Sequence, residues 1–364
     1  MSGVYISYPF CTQKCTYCNF ASGVLPPETE RTYLAALSSE IAAHRWHWTP
    51  ETIYLGGGTP SRLAADDLAG ILNALPGRPW SEATIEVAPG TIHPDLAAAW
   101  RNAGINRVSL GVQSFVAREL RQTGRRHDAA TVAAEIDILR AAGIGNINID
   151  LIAGLPWQTA ESWRESLDWI RRLDPPHVSV YILEVDEDSR LGNELLVLGS
   201  RYGAAQVPDE EMTAELYETA VDALAGDGTH RYEISNFAKP GRESRHNLKY
   251  WRREPYVGFG VDAHSFDGRV RRANCDSTAG YIDRIHREGT ACVEEAPAND
   301  EERFFVGLRL SGGVDVTPGE RARHAAAIDR FVQAGLLEFH GAQLRLTDRG
   351  VLVSNEVLAE FVGG

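Results

Sequence analysis

The stretch "YPFCTQKCTYCNF", residues 8–20, places Cys11, Cys15 and Cys18 within eight positions, and no fourth cysteine follows nearby. It comes directly after the first β-rich run, "VYIS" (4–7). A thiolate ligates soft metals, so a C-x3-C-x2-C loop is a credible chelating unit. Structural zinc normally closes its tetrahedron with a fourth Cys or His. The nearest histidines, His44 and His47, stand about 26 residues downstream in a helical pattern. Unligated core cysteines are the other plain reading. An iron–sulfur cube accounts for the loop better: three cysteines hold three irons and leave the fourth iron open. A site with one open position is built for reaction, as it is in catalytic zinc centres.

Working outward, short β-rich runs alternate with longer helical patterns to about residue 185. After "VYIS" the strand candidates are "TIYL" (52–55), "TIEV" (84–87), "RVSLGV" (107–112), "NINIDLI" (146–152) and "HVSVYIL" (177–183). The helical patterns between them cover 30–45, 66–75, 94–104, 128–143 and 159–173, with Gly104 and Gly143 as C-caps. Six strand-then-helix steps imply a parallel sheet with right-handed crossovers. That number suits an incomplete barrel as well as an open doubly wound sheet, and both put chemistry at the C-terminal ends of the strands.

Beyond 185 the alternation weakens. Residues 187–211 read as a loop with a short helical piece, followed by a helix around 209–225. "RYEISNFA" (231–238) reads as a strand, and 239–295 are Gly- and Arg-rich with scattered aromatics. From about 300, helical patterns precede a hairpin over 336–347 with Gly341 at its turn, which suggests a small winged-helix-like module.

The composition narrows the class. The chain has 364 residues, 43% hydrophobic and 24% charged, with 36 basic against 50 acidic side chains and a formal charge of −14. Such a balance argues against broad binding to nucleic acid or anionic lipid. The hairpin carries only Arg345 as a basic residue, so a nucleic-acid role for the module is not expected. "MSGVYISYPF" has no basic leader region, and no apolar run approaches the roughly 20 residues of a spanning helix. A cytoplasmic location is therefore expected. Five cysteines, three of them clustered, fit a reducing compartment, and Cys275 and Cys292 read as small buried hydrophobes.

Several polar residues fall at successive strand ends. Gly56, Gly57 and Gly58 in "YLGGGTP" (54–60) remove every Cβ, so that backbone can approach a ligand closely; a plain tight turn is the alternative. Glu86 can accept from an amine or a hydroxyl, and Arg125 can bind a carboxylate. Gln113 and Asp150 end the fourth and fifth strand candidates; a helix cap for Asp150 and solvent-facing roles for Gln113 and Arg125 are the plain readings. Near the other end, "HNLKYW" (246–251) puts His246 and Tyr250 on one face if it is helical. A structural turn, with Tyr250 and Trp251 filling core, is the plain alternative.

The segments "YPFCTQKCTYCNF", "GGGTPS", "IEVAP", "SLGVQSF", "GRRH", "DLIAGLP", "YEISNFA" and "HNLKYW" occur in this order over nearly the whole length. Together they resemble the coproporphyrinogen III oxidase-like branch of the radical S-adenosylmethionine (SAM) superfamily, and most closely the HemW haem chaperones. The resemblance implies a partial (β/α)6 TIM-type barrel of the radical SAM type with an α+β C-terminal extension and the winged-helix-like module. It divides the chain into a barrel (1–185), a barrel-covering extension with the HNxxYW segment (186–295) and the small module (296–364).

By the same resemblance Cys11, Cys15 and Cys18 hold a 4Fe–4S cluster whose open iron takes SAM, and electron transfer to SAM gives a 5′-deoxyadenosyl radical. Tyr5, Gly56, Gly57, Gly58, Thr59, Glu86, Gln113, Arg125 and Asp150 line the SAM pocket. His246, Asn247, Tyr250 and Trp251 bind haem, with His246 as a candidate axial ligand. Arg242, Arg245, Lys249, Arg252 and Arg253 can pair with propionates, a solvated basic face being the plainer account.

The implied function is a chaperone that binds the cluster, SAM and haem and delivers haem to acceptors such as respiratory enzymes, with a flavodoxin or ferredoxin as electron donor if SAM is cleaved. The alternative is a radical SAM enzyme of methyltransferase, cyclopropanase or haem-degrading type. Oxygen-independent coproporphyrinogen III oxidation is disfavoured, since Phe20 stands where that pattern has a further cysteine. Two other departures, Ser7 in place of His and Asn19 in place of Asp, touch no expected cluster ligand.

Overall fold

A computed structural model of the chain describes residues 2–361, so Met1 and residues 362–364 of the expected outer segments lie outside the described residues. All six expected strands form: β1 (Gly3–Tyr8), β2 (Thr52–Gly57), β3 (Glu82–Val87), β4 (Arg107–Gln113), β5 (Asn146–Ala153) and β6 (His177–Ile182). They pair in parallel and in chain order. Helices α1 (Pro27–Ala43), α2 (Ala65–Asn73), α3 (Pro94–Ala103), α4 (Ala117–Gln122), α5 (Ala129–Ala141) and α6 (Ala160–Leu173) make the crossovers. α3 stops at Gly104, whose φ of 99° a side chain would strain, and α6 starts from a Thr159–Ser162 capping box.

The two faces of these strands differ sharply. Val4, Ile6, Ile53, Leu55, Ile85, Val108, Leu110, Ile147, Ile149, Leu151, Val178 and Val180 are buried against the helices. Each such side chain contributes about 1.5–3 kcal/mol by leaving water. The opposite face is polar. Thr52, Glu82, Thr84, Arg107, Ser109, Asn148, His177 and Ser179 are all buried. Asn148 Nδ2 donates to Ser109 Oγ (2.7 Å) and Asp150 Oδ1 (2.6 Å), and its Oδ1 accepts from His177 Nδ1 (2.6 Å). An ordinary barrel of this class fills its interior with branched aliphatics. This one is wired with hydrogen bonds instead.

The extension lengthens the sheet at both edges. α7 (Arg190–Leu196) and α8 (Glu210–Gly226) lead to β7 (His230–Arg231) and β8 (Asn236–Ala238), which add antiparallel beside β6. The segment expected to be one strand is thus two, parted by the turn at 232–235. α9 (Arg245–Trp251) follows, and then β9 (Tyr256–Phe259), which pairs parallel with β1. β10 (His264–Phe266), β11 (Val270–Asn274), α10 (Thr278–Glu288) and β12 (Cys292–Pro297) complete a twelve-stranded open sheet running from β12 to β7. The Gly- and Arg-rich stretch is thus built of regular elements. Its elements are short, and their long-range partners give no local periodicity. Cys275 and Cys292 are half-buried rather than buried.

The C-terminal module packs α11 (Glu302–Gly307), α12 (Pro318–Arg323) and α13 (Ala325–Gln333) with β13 (Val314–Asp315), β14 (Leu337–His340) and β15 (Gln343–Leu346). The expected hairpin turns at Gly341, with a φ of 66°, and β13 adds a third strand to it. An Arg231–Asp348 ion pair (2.6 Å) and a Ser311 N–H to Tyr232 O bond (3.0 Å) join the module to the extension at β7.

Candidate functional site

The cysteine loop leaves the C-terminal end of β1 and is pinned at its root. Cys11 N–H donates to Gly23 O (2.8 Å), Gly58 N–H to Tyr8 O (2.7 Å) and Thr59 N–H to Phe10 O (2.9 Å). These bonds explain the glycine run. A Cβ on Gly58 would lie 2.8 Å from Phe10 O and 2.9 Å from Tyr8 O, and Gly57 adopts a φ of 105°. The run lets β2 close onto the loop's backbone, in addition to any approach by a ligand. From the far side Leu191 N–H donates to Thr16 O (2.8 Å) and Asn19 Nδ2 to Asp186 Oδ2 (2.8 Å), so the start of the extension folds over the loop.

Cys11, Cys15 and Cys18 line a cleft of about 680 Å³ at the C-terminal mouth of the barrel, together with Gly57, Gly58, Thr59, Glu86, Gln113, Arg125 and Asp150. Tyr5 and Gly56 sit one layer beneath. A Cβ on Gly56 would be 3.1 Å from both Glu86 Oε1 and Tyr5 Cε2. Among the described residues no three His, Cys, Asp or Glu side chains are gathered for a single ion.

Glu86 accepts from Tyr54 Oη (2.9 Å) and Gly57 N–H (3.2 Å). Burial, with the Asp150 carboxylate adding to it, pushes its carboxyl up to about 7 against those two donors. Asp150 lies within β5 and is no helix cap: it accepts from Ser109 Oγ (3.2 Å) and Asn148. Burial raises its carboxyl too, opposed by these donors, Ser179 and the nearby Arg107 charge. Gln113 ends β4 at a shift in register with a φ of 70°, a strained conformation that re-aims its side chain. Arg125 donates to Gly111 O (2.6 Å). Gln113 Oε1 and Arg125 Nε are buried without hydrogen-bond partners among the described residues.

An unpaired acceptor and an unpaired cationic donor beside three thiols fit a ligand with ammonium and carboxylate groups, as SAM has, and an iron–sulfur cube fits the thiols. Burial raises the Cys18 thiol, opposed by a hydrogen bond from the Phe20 backbone and by the Lys14 charge.

The cleft also takes Tyr17, Ser109, His127 and Tyr181, which the sequence reading passed over. Burial beside Arg125 pushes His127 down to about 4, so its ring is neutral. The signal for the strand residues was present: "RVSLGV", "NINIDLI" and "HVSVYI" alternate polar and apolar although helices cover the outer face.

The expected haem segment is not brought to this cleft. Its helix α9 lies across the opposite, N-terminal mouth of the barrel, where Glu82, the first residue of β3, accepts from His246 N–H (2.9 Å), Arg245 N–H (3.0 Å) and Ser244 Oγ (3.3 Å). His246 has no solvent exposure. Its Nδ1 bonds Thr52 Oγ1 (2.8 Å) and its Nε2 bonds Tyr250 Oη (2.8 Å), so neither nitrogen is free for iron. Burial, aided by Lys249 and Arg107, pushes its pKa down to about 3. An axial role would require α9 to leave the barrel floor. One residue links floor and cleft: Tyr54 stacks on His246, ring centroids 5.3 Å apart, and donates to Glu86.

The comparisons with known proteins agree with this architecture. The radical SAM superfamily model matches residues 5–170 and the HemN C-terminal domain model residues 300–353. The chain is 33% identical to the heme chaperone HemW of Bacillus subtilis (strain 168), covering 100% of both proteins. It is 34% identical to the heme chaperone HemW of Escherichia coli (strain K12), covering 99% of this chain and 97% of that one. The solved coproporphyrinogen III oxidase (HemN) from Escherichia coli, a radical SAM enzyme, shares the fold with a TM-score of 0.84 at 22% identity, over 100% of this chain and 90% of that chain. The three-cysteine mouth, the parallel barrel and the full-length likeness lead to one assignment: the chain belongs to the HemW family of radical SAM proteins.

Proposed function

We propose that the chain is a radical-SAM-type haem chaperone, which binds a 4Fe–4S cluster, SAM and haem and passes haem to acceptor proteins. The observation that carries this reading is likeness over the full length, C-terminal module included, to proteins named heme chaperone. The cleft supports its cofactor half. Cys11, Cys15 and Cys18 would hold three irons, and a bound cluster with SAM supplies one-electron chemistry at that mouth. The residues of the chain position rather than react. Gln113, Glu86 and Asp150 face the ligand's polar groups, Arg125 supplies the cation for its carboxylate, and the Gly56–Thr59 turn braces the loop. His127, held neutral, adds no second charge beside Arg125.

Haem acceptors of the respiratory type, a flavodoxin or ferredoxin donor and a cytoplasmic setting belong to the same proposal. Among the described residues no helix is long and apolar enough to cross a membrane. Anaerobic reconstitution, followed by spectroscopy with SAM and haem added separately, tests the reading. The expected result is about four irons per chain, a spectral change with SAM, and stoichiometric haem that moves to an apo-acceptor. Protein that builds the cluster but binds no haem and turns SAM over with an organic substrate is instead a radical SAM enzyme.

A further inference from the structure

Gln113 is both strained and unpaired at the cleft, and a buried carboxylate stands six residues further along the chain. Resting on the SAM half of the proposed function, we propose that Glu119 is a positioning residue, which holds Gln113 toward the amino-acid end of SAM without touching the ligand. Glu119 has no solvent exposure and does not line the cleft. Its influence on a ligand there has to pass through a neighbour.

A φ of 70° on a residue other than glycine persists only where its surroundings over-determine it. The residues after Gln113 supply that restraint. Phe115 N–H donates to Ser166 Oγ (3.2 Å), and Val116 N–H donates to Ser114 Oγ (2.9 Å). The Ser114 hydroxyl in turn donates to Glu119 Oε2 (2.6 Å), so the turn that follows Gln113 ends on the carboxylate of α4. That short helix turns Glu119 and Leu120 inward and leaves Arg118 and Arg121 exposed. The same carboxylate oxygen accepts from Gln158 Nε2 (3.4 Å). Gln158 also donates to Ile152 O (3.0 Å) and accepts from Gly154 N–H (2.6 Å) and Leu155 N–H (3.3 Å), which fixes the end of β5 beyond Asp150. Glu119 therefore ties the ends of β4 and β5 together behind the cleft. Burial raises its carboxyl, opposed by Ser114, Ser162 and Gln158.

The far end of α4 is pinned differently, through the backbone. Arg125 N–H donates to Leu120 O (2.9 Å), and Thr16 N–H of the cysteine loop donates to Thr123 O (3.4 Å). Neither bond uses the Glu119 side chain. Removing the carboxylate thus leaves Arg125 and the thiols in place, frees the Ser114 hydroxyl, and lets Gln113 relax so that its amide leaves the cleft.

The test uses the reconstituted full-length chain, with SAM binding read by calorimetric titration and cluster content by iron and sulfide analysis. Glu119→Ala should weaken SAM binding by about tenfold at parental iron content. Added to Gln113→Ala, it should cost no more than about a further twofold, because its effect passes through that side chain. Glu119→Gln, whose amide oxygen can accept from the same two donors, should stay within about threefold of the parent. Parental SAM affinity in Glu119→Ala, losses that multiply in the double variant, or a glutamine variant as weak as the alanine one overturns the proposal. Where Glu119→Ala builds no cluster, Ser114→Ala, which removes one hydroxyl from the same link, takes its place with the same expected and overturning results. A parent chain that builds the cluster but does not bind SAM overturns the cofactor reading itself.

Discussion

His246 Nδ1 lies 2.8 Å from Thr52 Oγ1, a bond that ties a helix from late in the chain to the first residue of β2 and closes the N-terminal mouth of the barrel. The ring is fully buried, and Tyr250 takes its other nitrogen. His246→Ala would leave two buried hydroxyls unpaired around a cavity. It should lower unfolding free energy by about 2–4 kcal/mol, read as a shift in urea midpoint of the full chain. Loss of haem binding with no change in that midpoint would show instead that the imidazole meets the iron.

Glu82 anchors the same helix by accepting from three consecutive donors at its start. In Glu82→Ala these donors lose their buried acceptor, at a cost of about 2–3 kcal/mol. Hydrogen exchange should accelerate at the 245–251 amides while β4 and β5 stay protected. Uniform acceleration across the sheet would mean that α9 is integral to barrel folding and not an independently releasable plug.

Glu86 sets a pH dependence at the cleft. Its carboxyl, raised to about 7 by burial and by Asp150, is protonated below that pH and charged above it. Affinity for SAM, whose ammonium seeks the carboxylate, should rise by up to about tenfold from pH ~6 to ~8 and then level off. Stability without ligand should run the other way. The unfolded chain ionises near 4.5 while the folded chain keeps its proton, so stability falls from that pH up to about 7. In Glu86→Gln both slopes should flatten, as measured by calorimetric titration and thermal melts across pH.

Each of Cys11→Ala, Cys15→Ala and Cys18→Ala should abolish most cluster iron and sulfide after reconstitution, whereas Cys275→Ser and Cys292→Ser should keep wild-type content. The latter pair sit half-buried on the outer part of the sheet, away from the cleft lining. Iron loss in Cys275→Ser would assign that thiol a part in cluster binding or loading.

Gly58→Ala separates bracing from ligand contact. Its Cβ would meet the Phe10 and Tyr8 carbonyls inside 3.0 Å, forcing the root of the cysteine loop to shift. Iron retention should fall even with no SAM present. Normal cluster content with weakened SAM binding would return the glycines to a role in approaching the ligand.

The legible parts of this protein were those with local causes. The six strands and their crossover helices followed from periodicity, and the thiol spacing carries its own chemistry. The break between β7 and β8 and the short β10 were not legible, because two to three residues hold no period and depend on partners far along the chain. Nor was the purpose of the glycine run, since the sequence does not reveal that the Phe10 carbonyl lies against Gly58. Tyr181 and Ser109 were visible as alternating polar positions, but alternation does not say whether the polar side faces solvent or the inside of a barrel.

The sequence by itself determined that the chain alternates strand and helix, that a three-thiol loop follows the first strand, and that polar residues recur at strand ends. These are properties of neighbouring residues. Only the tertiary structure decided that Gln113, Arg125 and Asp150 converge on the thiols while His246 faces away from them, because a side chain's partners and access to solvent are set by residues well beyond its neighbours in the chain. Thr52 and His246, 194 residues apart, meet at 2.8 Å, and that bond removes the imidazole from the reach of any iron at the surface.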